Sequence, residues 1–111
     1  MNITCRKIGF VNVVAPNFPL IDDNINEFKK KLKELLLSGE NKLVIDFSKI
    51  VLISSEGIEV LMDFYEDTRE KYGGLKLCRL NDLCADIFIA TRLNNLFDIF
   101  KEPEDAARSF L

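Results

Sequence analysis

The stretch that decides the fold is Asp46-Phe47-Ser48-Lys49-Ile50-Val51-Leu52-Ile53-Ser54-Ser55-Glu56-Gly57-Ile58-Glu59-Val60-Leu61. Its front end completes a short apolar run, Leu43 to Phe47, which reads as a buried strand. A second apolar run, Ile50 to Ile53, follows. Ser54, Ser55, Glu56 and Gly57 then interrupt the apolar pattern. Beyond them Ile58, Leu61, Met62 and Tyr65 mark one face of a helix over about 57–72, until Gly73-Gly74 breaks it. Ser54 and Ser55 are both residue types that cap a helix N-terminus. The stretch therefore reads as strand, loop and helix start.

The flanking sequence repeats this alternation. Residues 3–15 are β-branched and strand-like, with Gly9 marking a turn or bulge, and Pro16 and Pro19 end any ladder. Asp22, Asp23 and Asn24 are helix-start residues. Ile25, Phe28, Leu32, Leu35 and Leu36 then recur at helical spacing up to Ser38-Gly39. Leu75 to Leu80 is a further strand. Asn81 or Asp82 caps a third helix with Leu83, Ile87 and Ala90 on its apolar face, and Asp98 to Lys101 is a last short strand. Pro103 suits the first turn of a terminal helix, with Ala106, Ala107 and Phe110 inward. Strand and helix alternate throughout, which implies a largely parallel sheet with crossover helices in one domain spanning 1–111.

Composition narrows the function. The 111 residues are 48% hydrophobic and include nine Phe, enough for a core without metal or disulfide. Net charge is −3, and the one dense basic run, Lys29, Lys30, Lys31 and Lys33, shares its helix with Glu27 and Glu34. It reads as a solvated face, so no nucleic-acid partner is expected. Cys5, Cys78 and Cys84 form no C-x-x-C and there is no His, so neither a metal site nor a disulfide framework is expected. No apolar run approaches the roughly 18 residues of a membrane span, and the N-terminus lacks the pattern of a signal peptide. The expectation is a soluble, cytoplasmic protein without cofactors.

The stretch 46–61 resembles the signature of STAS domains, a family that includes bacterial anti-sigma-factor antagonists. There the pattern is roughly Asp-Leu-Ser, a spaced apolar run, Asp-Ser-Ser-Gly and an apolar helix. The later Arg92-Leu93-Asn94-Asn95-Leu96-Phe97-Asp98-Ile99-Phe100 resembles the family's element before its final helix. The resemblance implies an α/β, STAS-like fold, a mixed and largely parallel sheet of about four to five strands with about four helices. It also implies a module that binds a protein partner, an anti-sigma factor and serine kinase of the ATP-binding type, and that does not catalyse a reaction itself.

The resemblance also locates the site. In the antagonists a Ser at the start of the second helix is phosphorylated, and the added charge of about −1.5 to −2 abolishes partner binding. Counted from Asp46, the family's Asp-Ser-Ser-Gly falls on Ser54-Ser55-Glu56-Gly57, so the acceptor Ser is replaced by Glu56. Three readings stand side by side. Glu56 imitates the phosphorylated state. Or Glu56 is a favourable first-turn residue, worth about 0.3–1 kcal/mol against the helix dipole, in a domain without phospho-control. Or control has moved to Ser55 or Ser54. Ile58 is either a partner contact or a core residue. Asp22 or Asp23 either stands in for the family's partner-facing Asp or caps the first helix. Glu59, with Asp63 and Glu66, lines a negative edge that is either part of the docking surface or merely solvated.

Two other classes remain for comparison. A scaffold subunit of a stress-signalling or of a lipid or anion transport complex uses the same fold without phosphorylation. An enzyme needs an activated Ser or Cys beside a base, and without His only the Ser55–Glu56 neighbours offer one locally. Gly73-Gly74 lies between helix and strand, the reverse of the order in phosphate-binding loops.

Overall fold

The computed structural model describes residues 2–111. Among the described residues five strands form one sheet: β1 (Ile3–Ile8), β2 (Val11–Pro16), β3 (Lys42–Asp46), β4 (Gly74–Cys78) and β5 (Ile99–Phe100). Three α-helices connect the parallel strands, α1 (Asn24–Leu37), α2 (Ser55–Glu70) and α3 (Asp82–Ala90), the last followed by a 3-10 turn at Leu93–Asn95, and α4 (Pro103–Arg108) follows β5. This is the mixed, largely parallel α/β sheet that the resemblance implied.

The strand-like stretch 3–15 is two strands, not one. Ile8 pairs with Val11, leaving Gly9 and Phe10 as a two-residue turn, and Gly9 takes φ +62°. A glycine at the first turn position supplies a positive φ that matches the twist of the flanking strands. β1 is therefore antiparallel to β2, while β2, β3, β4 and β5 run parallel.

Strand order in the sheet equals strand order in the chain. Right-handed crossovers, the sense that twisted strands favour, would land successive helices of such an order on one face. The packing agrees. Val14, Leu43, Ile45, Leu75 and Leu77 lie in one core with Phe28, Leu61, Phe64 and Phe88 from α1, α2 and α3. Val11, Val13, Val44 and Cys78 form a second core with Ala106 and Ala107 of α4. The central strands are buried on both faces, which explains their near-continuous apolar sequence. Lys76 interrupts β4 on the α4 side. Its ammonium donates to the Ser109 hydroxyl at 2.7 Å and carbonyl at 3.2 Å, and sits 4.2 Å from the centre of the Phe110 ring.

Three local expectations change. Neither Asp22 nor Asp23 caps α1 with its carboxylate. Asp23 occupies the N-cap position without a side-chain hydrogen bond, and Asp22 sits in the left-handed region at φ +49°. The Asn24 amide closes this turn instead, donating to the Pro19 carbonyl at 3.1 Å. In α3 the buried residues are Cys84 and Phe88, whereas Leu83 is 52% exposed. Phe88 won the inward position because it packs edge-on against Phe47, ring centres 6.2 Å apart. β4 ends at Cys78, since Arg79 turns to φ +58°.

Candidate functional site

Three loops meet at the carboxyl ends of the parallel strands, the edge where open α/β sheets present ligands and partners. They follow β2, β3 and β4. The first two are joined by a short parallel bridge beyond the strands, Leu20 with Ile53. The Leu20 amide donates to the Leu52 carbonyl and the Ser54 amide to the Leu20 carbonyl, both at 3.0 Å. The third is tied in by Asn81, whose amide group donates to the Val51 carbonyl at 3.2 Å. The same Asn81 accepts from the Cys84 amide at 2.8 Å, capping α3.

Ser54 is the N-cap of α2. Its hydroxyl accepts from the Gly57 amide at 3.2 Å and donates to the Leu20 carbonyl at 3.3 Å. Gly57 is required by the close approach this creates. A Cβ there would lie 2.7 Å from the Leu20 carbonyl oxygen and 2.9 Å from Ile53 Cγ1. Real Cβ contacts are not that short, so the first turn of α2 rests directly on the backbone of the Leu20 segment.

This seating decides what α2 presents. Ser55, Glu56 and Glu59 are exposed, as are Asp63 and Glu66 further along. Among the described residues the carboxylates of Glu56 and Glu59 make no hydrogen bond or ion pair. Ile58 is buried, 9% exposed, and belongs to the core shared with Leu61 and Phe64. Of its two readings, the core role holds. Asp22 and Asp23 are exposed and follow directly on the bridged Leu20 segment.

The loop between β3 and α2 has a charged anchor that the sequence reading missed. Asp46 is buried, and its carboxylate accepts from the Ser48 amide at 2.9 Å. Arg79 reaches it at 3.6 Å and also grips Glu102 through two nitrogens, at 3.2 and 2.8 Å. One guanidinium thus links β3, the end of β4 and the entry to α4. No sequence signal marked it, because the partners lie 33 and 23 residues away. Also unforeseen was the exposure of Val51 at 62% and Leu52 at 38%. With Leu83 they put three large apolar side chains into solvent around the tip of α2.

The described residues include no group of three or more His, Cys, Asp or Glu placed to hold a metal. Burial, with Asp46 nearby, pushes the Cys78 thiol up to about 12. Burial also raises Cys84 and the half-buried Cys5. A thiol so disposed is a packing group, since the thiolate is the reactive form. Among the described residues no helix is long and apolar enough to cross a membrane.

The sheet topology and the exposed, capped helix tip define the class. Residues 2–106 match the model of the STAS domain, and the chain belongs to that family. Among curated relatives it is 24% identical, over 110 residues, to BtrV of Bordetella bronchiseptica, which is assigned as an anti-sigma factor antagonist. The match covers 99% of this chain and 95% of that one. Among solved structures, a Thermotoga maritima protein assigned the same role superposes with a TM-score of 0.91 at 22% identity, over 97% of this chain and 93% of that one. The fold also recurs inside the murine anion transporter Slc26a9, with a TM-score of 0.74 at 17% identity. There it covers 93% of this chain but 18% of the transporter.

Proposed function

We propose that this chain is a cytoplasmic, non-catalytic regulatory module that resembles an anti-sigma-factor antagonist and docks an ATP-binding anti-sigma serine kinase. The observation that carries this reading is the tip of α2, seated on Leu20 through Gly57, capped by Ser54, and presenting Ser55 and Glu56 to solvent. The docking surface comprises Ser54 to Gly57 with Glu59, flanked by Asp22 and Asp23.

The same geometry ranks the phospho-control readings. Glu56 has no hydroxyl, and the hydroxyl of Ser54 is engaged in two hydrogen bonds. Ser55 is the one exposed hydroxyl of the three positions, so any modification falls there. Glu56 supplies about one charge in place of a phosphate's two, so it copies the phosphorylated form only in part. In this reading Glu56 stabilises the positive end of α2, and docking is not switched at position 56.

The test is a pull-down from the native host with intact-mass measurement of the recovered chain. Recovery of an ATP-binding anti-sigma protein is expected. The Glu56→Ser variant should then be labelled by that kinase if position 56 is the family's acceptor position. A kinase active on another substrate that leaves this variant unlabelled refutes the register. The second reading, a scaffold subunit, is favoured by Glu56 itself, because assembly without phosphorylation needs no hydroxyl there. Recovery of membrane-transport subunits in place of a kinase would select it.

A further inference from the structure

We infer that the partner meets this end of the molecule with a cationic rim around an apolar socket, and that their association is steered by charge. The inference rests on the docking surface proposed above and names the chemistry of what covers it. Val51, Leu52 and Leu83 are 62%, 38% and 52% exposed, and the Asn81–Val51 hydrogen bond holds the first turn of α3, with Leu83, beside the loop that carries the other two. Scattered exposed apolar residues are ordinary, but three large ones brought together by a specific tie form a patch that a partner can bury.

Carboxylates stand on the elements that flank this patch. Glu56 and Glu59 stand on α2, Asp82 and Asp86 on α3, and Asp22 and Asp23 on the loop bridged to Ile53; all six are exposed. None of the six joins an ion pair among the described residues, whereas Lys7–Glu40, Lys31–Glu34 and Lys76–Asp98 pair in other parts of the fold. Arg79, the guanidinium at this end, is committed to Asp46 and Glu102. Among the described residues, Lys49 and Lys101 in the adjoining loops form no ion pair, so two free cations here face six free carboxylates.

Helix dipoles explain part of this acidity. Glu56 and Asp82 lie in the first turns of α2 and α3, where a carboxylate is favourable. Glu59 and Asp86 lie one turn further on, where the dipole's effect has faded, so their exposure without partners is not accounted for by helix stability. A surface of one sign around an apolar centre attracts a partner of the opposite sign and disfavours anionic surfaces such as nucleic acid or lipid headgroups. The apolar contact then governs how long the complex lasts.

The experiment measures association and dissociation rates between the full chain and the purified ATP-binding anti-sigma kinase encoded in the same genome, across a series of salt concentrations. Association should slow by about tenfold or more as the Debye length shrinks from about 10 Å at 0.1 M to about 3 Å at 1 M. Glu56→Gln, Glu59→Gln and Asp82→Asn combined should slow association about tenfold at low salt and leave dissociation within about twofold. Leu83→Ala should speed dissociation about tenfold with association unchanged. Circular dichroism melts check that each variant is folded. Binding whose association rate ignores salt and charge removal, or rises on charge removal, overturns this inference while the docking reading stands. Absence of any complex with the kinase overturns both.

Discussion

Replacing Gly57 by alanine tests the seating of α2 directly. In a free helix the change is favourable, by about 0.8–1 kcal/mol of propensity. Here the new methyl would lie 2.7 Å from the Leu20 carbonyl oxygen and 2.9 Å from Ile53 Cγ1. The isoleucine methylene can swing aside at modest cost. The carbonyl cannot, because it already accepts from the Ser54 amide at 3.0 Å and faces the Ser54 hydroxyl at 3.3 Å. Overpacking of this kind costs about 1–3 kcal/mol, and a backbone obstacle belongs in the upper half of that range. The net expectation for Gly57→Ala is a loss of about 1–2 kcal/mol, or a fall in Tm of about 5–10 °C for a domain of this size. Calorimetry and urea denaturation measure it, and the urea midpoint should fall without a change in slope. A variant as stable as the parent, or more stable, would mean that propensity wins and that the tip of α2 does not rest on the Leu20 backbone.

Other substitutions probe the same end of the fold. Ser54→Ala should cost about 1 kcal/mol through loss of the cap, and Ser54→Asp, which restores an acceptor for the Gly57 amide, should recover most of it in the same urea titration. Arg79→Met leaves Asp46 buried beside the Ser48 amide without its counter-ion. With the guanidinium 38% exposed, the expected loss is about 1–2 kcal/mol, and equal stability of variant and parent would remove Arg79 as an anchor. Thiol labelling at pH 8 should modify Cys5 first, with the buried Cys78 and Cys84 reacting only on unfolding. Because burial raises the Cys78 thiol from 9.0 to about 12, the folded state holds its proton more tightly than the unfolded chain. Its contribution is therefore complete below pH 9 and is lost progressively from pH 9 to 12. Urea midpoints between pH 8 and 11 should fall with rising pH, and less steeply for Cys78→Ala.

What the sequence disclosed followed the range of the physics behind each signal. Helical spacing and β-branched runs act over a few residues, and α1, α2 and the parallel strands were legible from them. Ser54 was one of two named caps because the cap signal is also local. Ile58 stayed open between core and contact until α2 was seated, since one residue of phase turns a side chain from sheet to solvent. The apolar face of α3 falls on Leu83 by spacing because apolar residues stand on more than one side of that helix, and packing against the Phe47 and Phe97 rings selects Phe88. The Leu20–Ile53 bridge and the Arg79 anchor have no local signature at all, as both join segments more than 20 residues apart. Val51 and Leu52 read like strand residues, yet each finds only part of its surface covered.

A sheet whose spatial order repeats its order along the chain can be assembled as the polypeptide is synthesised. Each strand, on emerging, finds its neighbour already in place, and no gap must be held open for a later arrival. A ribosome releasing this chain from its N-terminus would thus expose, at each moment, one growing edge, which limits the time that unpaired strands are available for aggregation. The last strand to dock, β5, is only two residues long and brings little edge of its own.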